Sequence, residues 1–384
     1  MKSERLRVER IAYGGDGVAR SADGKICFVP GVLPGELIEA ETCQERPRFR
    51  RARAVRILEA AAERIAPECP LFAAGVCPGC AYLHGSYAVE LQWKQRQLHG
   101  FLVRSGLLEE AGLRPPFGAP RRFGLRNKLV MHCRNGVRGY IGYDNRSIVP
   151  VPRCPLAGAE LNSLLAECPP EREREIFRYT ARDGALRVGP DTPRLTESLP
   201  GYGDFAVAPD GFFQTDLPVA AELVRRVVAE VAAGGAGRLV ELYCGVGAFG
   251  IAALERVSGL TAFGVELAAT AVAAARDNAA AHGVAARSEF VAGDAGEALR
   301  RIGDCRDAVL LVDPPRTGLD AAAVKAILRA SPRRIIYVSC APDTLRRDIA
   351  LLREGYAAEQ AGLLDMFPGT AHFETLAVLS RLHG

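Results

Sequence analysis

The sequence lacks any apolar run of the roughly 20 residues that a membrane-spanning helix needs. Its first ten residues, Met1-Lys-Ser-Glu-Arg-Leu-Arg-Val-Glu-Arg10, also lack the apolar core of a secretory signal. A net charge of +4 is too small to indicate a nucleic-acid partner by itself, so only local clusters of charge are informative. We therefore expect a cytoplasmic protein without a membrane segment, and a monomer.

Cysteine is present in an odd number, 11, which argues against a framework of disulfides in an intracellular chain. Five cysteines have no partner at a meaningful spacing, and we expect most of them to be small core residues. These five are Cys27, Cys43, Cys133, Cys168 and Cys305. The chemistry is therefore expected among the other cysteines.

The chain is long enough for two or three domains, with 384 residues of which 48% are hydrophobic. Residues 1–58 contain short strand-like segments separated by glycine and proline turns, which predict a small β-barrel. Residues 59–204 hold a cysteine cluster and mixed elements, and predict an α+β central domain. From residue 205 onward the pattern changes, so we place a third domain at 205–384.

Five apolar runs in the third domain alternate with alanine-rich helical stretches, a pattern typical of a parallel α/β sheet. The runs are Arg238–Tyr243, Thr261–Glu266, Glu289–Gly293, Ala308–Asp313 and Arg334–Ser339. Polar residues stand at the ends of these runs, where the strands of such a sheet share one edge. We therefore expect a Rossmann-like domain with its ligand site at that edge.

A glycine turn, Glu241-Leu-Tyr-Cys-Gly-Val-Gly247, follows the first run. Glu266 ends the second run, where an acid can bind ribose hydroxyls, and Asp294 and Asp313 follow later runs. Because Gly250 completes a dinucleotide fingerprint, a nicotinamide enzyme is an alternative. The Asp313-Pro-Pro sequence is instead typical of methyltransferases, so we expect S-adenosylmethionine.

Cys340 ends the fifth run and is therefore expected in the same crevice as the cofactor. A thiolate that adds to carbon 6 of uracil makes carbon 5 nucleophilic toward a methyl sulfonium. A base must then remove the proton from carbon 5. Glu374 is the candidate base and His372 is its rival.

Four cysteines, Cys69, Cys77, Cys80 and Cys154, lie beside proline or glycine, and two of them form a Cys-x2-Cys pair. Four thiolates hold either zinc or an iron–sulfur cluster, and the spacing does not decide between the two.

Two stretches are rich in basic residues and are candidate RNA surfaces. The first contains six arginines around Phe49, and the second contains only one acidic residue, Asp144. The basic residues are Arg46, Arg48, Arg50, Arg51, Arg53 and Arg56 in the first, and Arg121, Arg122, Arg126, Lys128, Arg134, Arg138, Arg146 and Arg153 in the second.

Taken together, these motifs resemble the RNA uracil-5-methyltransferase family, in the form with an N-terminal TRAM domain and an iron–sulfur cluster. The resemblance rests on further segments and covers nearly the whole chain. They are Tyr13–Ala19, Phe28–Glu36, Phe123–Lys128, Phe212–Thr215 and Met366–Glu374. The turn departs from the family at Ala248, where asparagine is usual.

The resemblance implies a role for each matched residue. It makes Cys340 the nucleophile and Glu374 the proton acceptor. It implies a [4Fe-4S] cluster on Cys69, Cys77, Cys80 and Cys154. The implied cofactor contacts are Gln214, Tyr243, Glu266, Asp294 and Asp313.

We therefore predict a methyltransferase that makes 5-methyluridine in RNA, with 23S ribosomal RNA as the expected substrate and uridine 54 of transfer RNA as the alternative. The target uridine is expected to be flipped into the crevice. An exocyclic-amine methyltransferase is disfavoured because Arg316, not an aromatic residue, follows Asp313-Pro-Pro. A non-catalytic RNA-binding protein would not need Cys340 or Glu374.

Overall fold

A computed structural model describes residues 3–382 and divides into two compact units. The first unit is formed by the chain up to Gln97, by Arg121–Phe177 and by Phe367–His372. The second is formed by Leu98–Pro120, by Arg178–Met366 and by the chain from Phe373 onward. Each unit is therefore built from separate segments of the sequence.

The strands, in chain order, are β1 Ser3–Ile11, β2 Gly17–Arg20, β3 Ile26–Val29, β4 Leu37–Glu45, β5 Phe49–Glu59, β6 Leu113–Phe117, β7 Lys128–Arg134, β8 Val137–Ile141, β9 Ile148–Pro150, β10 Arg174–Thr180, β11 Gly184–Arg187, β12 Leu195–Leu199, β13 Gly203–Val207, β14 Arg238–Leu242, β15 Thr261–Glu266, β16 Ser288–Ala292, β17 Ala308–Val312, β18 Arg334–Ser339, β19 Tyr356–Leu364 and β20 Glu374–Arg381. The helices are α1 Pro70–Ala73, α2 Tyr87–Leu102, α3 Ala159–Glu167, α4 Leu217–Ala233, α5 Ala248–Arg256, α6 Ala269–Ala281, α7 Ala295–Ile302, α8 Ala321–Ala330 and α9 Pro342–Leu352. Short 3₁₀ turns occur at Glu110–Gly112 and Ala285–Arg287.

The first five strands close into a barrel in the order β1-β2-β3-β5-β4, which confirms the small barrel expected at the start of the chain. Alternate residues, such as Leu6 and Val8 in β1, point inward and are buried with Val29 and Ile38. Closure pairs every strand on both sides and so leaves no open edge.

The remainder of the first unit contains α1, most of α2, α3 and the antiparallel strands β7, β8 and β9. Trp93 on α2 is buried with Tyr82, Leu33 and Ile11, which fastens this helix to the end of the barrel. Burial of this large aromatic ring stabilises the packing of α2.

The second unit contains an eight-stranded sheet in the order β16-β15-β14-β17-β18-β20-β19-β6. The five strands β14 to β18 are parallel, and β20 is antiparallel to both of its neighbours. All five residues of β17 are buried, as expected for a strand covered by helices on both faces. The expected α/β, Rossmann-like fold is therefore confirmed, with an antiparallel strand inserted near one edge.

The order of the strands reverses at β14, because β15 lies on one side of it and β17 on the other. In open α/β sheets a ligand binds beyond the carboxyl ends of the strands at such a point. Within residues 3–382, no helix combines the length and hydropathy needed to cross a membrane.

Candidate active site

The glycine turn follows β14 at the point where the strand order reverses. Tyr243, Gly245 and Gly247 all have positive φ angles, of 64°, 53° and 81°. Such an angle is costly for tyrosine, so the surrounding structure must hold this turn in place. A side chain at Gly247 would lie 3.0 Å from the ring of Phe290, which explains why glycine is required there.

Glu241, the penultimate residue of β14, is buried beneath the turn. Its carboxylate accepts a hydrogen bond from the backbone N–H of Gly250 at 3.1 Å, and a Cβ atom on Gly250 would lie 2.5 Å from the same oxygen. Burial raises the pKa of Glu241 to about 8. The residue therefore braces the first turn of α5 as a neutral acid near pH 7.

Glu266 ends β15 and binds the glycine turn directly. Its two carboxylate oxygens accept hydrogen bonds from the backbone N–H groups of Gly245, at 3.2 Å, and Ala268, at 2.9 Å. Asp294 follows β16 and caps α7, because its carboxylate accepts a hydrogen bond from the N–H of Glu297 at 2.9 Å. Asp294 is exposed to solvent, whereas Glu266 is partly buried.

Asp313 follows β17, and its backbone N–H donates to the carbonyl of Leu242 at the end of β14. Burial, reinforced by the charge of Glu266, raises the pKa of Asp313 to about 7. Acidic side chains are thus concentrated at this edge of the sheet. Such a site favours a cationic ligand, because a positive charge relieves their mutual repulsion.

Cys340 and Glu374 are brought together by the register of β18 and β20. Ser339 pairs with Thr375 across these antiparallel strands, so the next residues outward, Cys340 and Glu374, are neighbours at the strand ends. Burial raises the pKa of the Cys340 thiol to about 11. The charges of Glu374 and Asp313 raise this pKa further, and that of Arg316 opposes them.

Glu374 is only 3% exposed, and its Oε2 atom has no hydrogen-bond partner among residues 3–382. Burial, with the charge of Asp313 adding to it, holds the pKa of Glu374 well above its usual value, and Arg316 opposes the shift. A buried carboxyl oxygen without a partner is costly in a folded protein and is a common feature of functional sites.

Two further residues singled out from the sequence, Gln214 and His372, lie in different units. Gln214 is partly buried two residues before Asp216, whose side chain caps α4 by accepting from Val219 N–H. His372, the rival base, belongs to the first unit, where its ring meets that of Phe367 edge-on at 6.5 Å.

Asn278 on α6 is a residue that the sequence patterns did not reveal. It is 2% exposed and exchanges two hydrogen bonds with the backbone of Ala206 on β13, at 2.7 and 3.1 Å. It also donates to the carbonyl of Val246 in the glycine turn at 3.1 Å. The only available signal was one polar residue on the apolar face of an alanine-rich helix.

The four clustered cysteines line one cavity of the first unit, together with Arg126 and Tyr140. Burial raises the pKa of Cys80 to about 12, and Arg126 opposes this shift while the other three thiols add to it. Asn162 fixes the loop at Cys154, because its side chain both accepts from and donates to that residue's backbone. Within residues 3–382, no three histidine, cysteine or acidic residues form a ready-made site for a metal ion.

The basic stretches are less available for RNA than their sequences indicate. In the barrel, Arg50 pairs with Asp23 and Glu45, and other arginines of β5 pair with acids on neighbouring segments. In the second stretch, the side chains of Arg122 and Arg138 are each only 9% exposed and pair with buried glutamates. The prediction that these two arginines face RNA is therefore wrong, because their acidic partners come from distant parts of the sequence.

The sheet order, the glycine turn and the acids at the strand ends together define an α/β methyltransferase. A family model described as tRNA (Uracil-5-)-methyltransferase matches residues 204–382. The 23S rRNA (uracil(1939)-C(5))-methyltransferase RlmD of Azoarcus sp. (strain BH72) is 33% identical, over 97% of this chain and 99% of the relative. The protein of the same name from Dechloromonas aromatica (strain RCB) is 30% identical, over 97% and 98%.

A crystal structure of the tRNA (uracil-54, C5)-methyltransferase of Pyrococcus abyssi, in complex with S-adenosyl-L-homocysteine, has the same fold with a TM-score of 0.75. It is 24% identical and covers 98% of this chain and 100% of that structure. The chain belongs to the RNA uracil-5-methyltransferase family, and it is an enzyme.

The raised pKa of Glu241 predicts how the stability of the protein depends on pH. Because its pKa is raised to about 8 in the fold, while an unfolded glutamate ionises near 4.5, its stabilising effect is full below pH 4.5. That effect declines as pH rises toward 8. We expect Glu241→Gln, which keeps an oxygen for Gly250 N–H, to gain melting temperature relative to the wild type between pH 5 and pH 8. Thermal unfolding across this range measures the difference, with Glu59→Gln, in an exposed ion pair, as the control. A constant difference at all pH values would contradict the prediction.

Proposed function

We propose that this enzyme methylates carbon 5 of a uridine in 23S ribosomal RNA with S-adenosylmethionine as the methyl donor. The observation that carries the proposal is the pairing of Cys340 with Glu374 at the sheet edge where acidic side chains gather. The relatives from Azoarcus and Dechloromonas, which match almost the whole chain, are named for uracil 1939 of that RNA.

In this proposal, Cys340 is the nucleophile. Its thiolate adds to carbon 6 of the uracil, a C–S bond forms, and the electrons of the C5–C6 double bond become available at carbon 5. S-adenosylmethionine supplies the methyl group that carbon 5 takes. Arg316 favours the thiolate, since it opposes the upward pKa shift of Cys340.

Glu374 then acts as the proton acceptor. It removes the proton from carbon 5, the C–H electrons restore the C5–C6 double bond, and the C–S bond breaks to release the Cys340 thiolate. The buried Oε2 of Glu374, which lacks a partner among the described residues, suits this role. A carboxylate with a raised pKa is also a stronger base than one in water.

The residues at the strand ends fit the proposed methyl donor. Glu266 and Asp294 would supply carboxylates for hydroxyl groups of the donor, and Asp313 would supply negative charge for its cationic sulfonium. We assign Gln214 and Tyr243 to the same cofactor. Gln214 lies two residues after the exposed Phe212, and Tyr243 lies in the strained glycine turn.

We further propose that Cys69, Cys77, Cys80 and Cys154 hold a [4Fe-4S] cluster. Their shared, buried cavity and all-thiol composition support this, because thiolates are the ligands such clusters take. The interval between Cys69 and Cys77 contains α1 and Gly75, whose φ of 67° turns the chain back. A cluster would supply an anchor for these loops, and no step of methyl transfer uses it.

The barrel is proposed to be a TRAM-like RNA-binding domain, within a division into 1–58, 59–204 and 205–384. Exposed cations remain in the central stretch at Arg121, Arg134, Arg146 and Arg153, and the ring of Tyr143 in the same stretch is also exposed. Phosphate contacts and base stacking require this combination. We place the enzyme in the cytoplasm as a monomer.

Covalent trapping tests the mechanism. RNA containing 5-fluorouridine should form a stable adduct with the enzyme in the presence of S-adenosylmethionine, because fluorine does not leave carbon 5 as a proton does. We expect Cys340→Ala to form none, and Glu374→Gln to accumulate a methylated adduct even with ordinary RNA. Denaturing gels and peptide mass spectrometry detect the linkage, with Cys305→Ser as the matched control. An adduct on another residue would refute the assignment.

Metal analysis tests the cluster. The protein purified without oxygen should contain iron and absorb visible light, and Cys80→Ser should lose both signals. Cys43→Ser, which changes an exposed cysteine outside the cavity, should retain them. Zinc in place of iron, or iron retained by the Cys80 variant, would overturn the proposal.

Mapping of 5-methyluridine in cellular RNA tests the substrate. Cells that lack this protein should lose the modification at one position of 23S rRNA and regain it with the wild-type gene, but not with Cys340→Ala. Loss at uridine 54 of tRNA would instead favour the alternative substrate, which the fold of the Pyrococcus abyssi enzyme supports.

A further inference from the structure

A buried charge network on α2 grips the segment of chain that leads to Glu374. Glu90 and Lys94 are both 0% exposed and form an ion pair at 2.8 Å, and Arg122 binds the other oxygen of Glu90 at 2.8 Å. Buried charges are expensive, and an incomplete network costs more than an apolar core. The proposed methyl-transfer chemistry uses none of these three residues.

The network binds Phe367–His372, the segment of the first unit that lies far along the sequence from α2. The backbone N–H of Gly369 donates to Glu90 at 2.6 Å, and Lys94 Nζ donates to the carbonyl of Phe367 at 3.2 Å. The carbonyl of Gly369 accepts from the N–H groups of Ala81, at 2.8 Å, and Tyr82, at 3.2 Å.

Gly369 is therefore held on both sides of its backbone and also has a left-handed conformation, with φ of 78°. A Cβ atom there would lie 2.9 Å from Leu83. The chain leaves this unit after His372, and Glu374 is the second residue beyond that point. Four residues, Thr370 to Phe373, lie between Gly369 and the proposed base.

We propose that Glu90 and Lys94 are positioning residues that set the placement of Glu374 for removal of the proton from carbon 5. The inference rests on the proposed function. In that reaction Glu374 takes the proton, the C5–C6 double bond re-forms and the bond to Cys340 breaks. The preceding addition of Cys340 and the methyl transfer need no contribution from Glu374, so loosening the grip should slow the last step selectively.

The chain offers a closely matched control. Glu175 is also a buried glutamate of the first unit, and it pairs with Arg138 at 3.2 Å. Arg138 also donates to the carbonyls of Leu165 and Cys168, which lie outside Phe367–His372. Glu175→Gln therefore damages a buried ion pair of the same type without touching the gripped segment.

The test compares Lys94→Met, Glu90→Gln, Glu175→Gln and Glu374→Gln with the wild type in a single turnover with labelled methyl donor and RNA. For Lys94→Met and Glu90→Gln, we expect release of methylated RNA to slow about a hundredfold relative to methyl transfer, the penalty of an ångström-scale misplacement. A methylated adduct on Cys340 should then accumulate as in Glu374→Gln. Glu175→Gln should release product like the wild type.

Amide hydrogen exchange gives a readout that is independent of activity. Exchange at Gly369 should accelerate about tenfold or more in Lys94→Met and Glu90→Gln, because each variant removes a charge-assisted hydrogen bond from the network that holds this segment, and should be unchanged in Glu175→Gln. Unchanged exchange at Gly369, equal slowing of methyl transfer and release, or adduct accumulation in Glu175→Gln would each overturn the proposal. A wild-type enzyme that forms no adduct and no 5-methyluridine would instead refute the proposed function, while exchange would still report on the grip.

Discussion

The hydrogen-bonded register between β18 and β20 is the constraint on which the candidate site depends. A parallel strand at the position of β20 would end at the same edge as β18, and its first residue would lie at the opposite edge. Because β20 is antiparallel, its first residue, Glu374, begins where β18 ends. A shift of one residue would turn Glu374 to the other face of the sheet. The pairing of Thr375 with Ser339 therefore determines whether a carboxyl group faces the Cys340 thiol.

Several acidic residues are buried in this structure, and they fall into two groups. Glu90, Glu175 and Glu36 are paired with arginine or lysine and hold segments of the first unit together. Glu241, Asp313 and Glu374 in the second unit carry raised pKa values, with burial as the main cause. The first kind stabilises loops against one another. The second kind leaves carboxyl groups that hold a proton more strongly than exposed carboxyl groups do.

Much of the fold, and part of the candidate site, could be predicted from the sequence, since apolar runs, glycine turns and strand-end acids are local signals. The barrel and the parallel sheet follow from such patterns, and so does the clustering of Glu266 and Asp313 at one edge. The neighbourhood of Cys340 and Glu374 could not be predicted, because it depends on a strand inserted out of order. The burial of Arg122 and Arg138 could not be predicted either, because their acidic partners lie 32 and 37 residues away in the sequence. Asn278 bonds to backbone atoms 72 and 32 residues away, and no local pattern reports such a contact.

The loop that carries Cys77 and Cys80 continues directly into Ala81 and Tyr82, whose N–H groups bind Gly369. The cysteine loop and the segment before Glu374 are thus joined by hydrogen bonds within one unit. The two segments are therefore neighbours in the fold although they are far apart in the sequence.

The position of β20 also has a consequence for synthesis of the chain. This strand is made after every other strand and helix described within residues 3–382, yet it lies inside the sheet between β18 and β19. During translation, β19 has no neighbour on that side, and β18 has an unpaired edge, until residues 374–381 have emerged. A nascent chain that ends before residue 374 contains Cys340 but not Glu374, the residue proposed to act with it. The proposed pair can therefore form only after β20 has taken its place between β18 and β19, so the sheet and the site are completed in the same step.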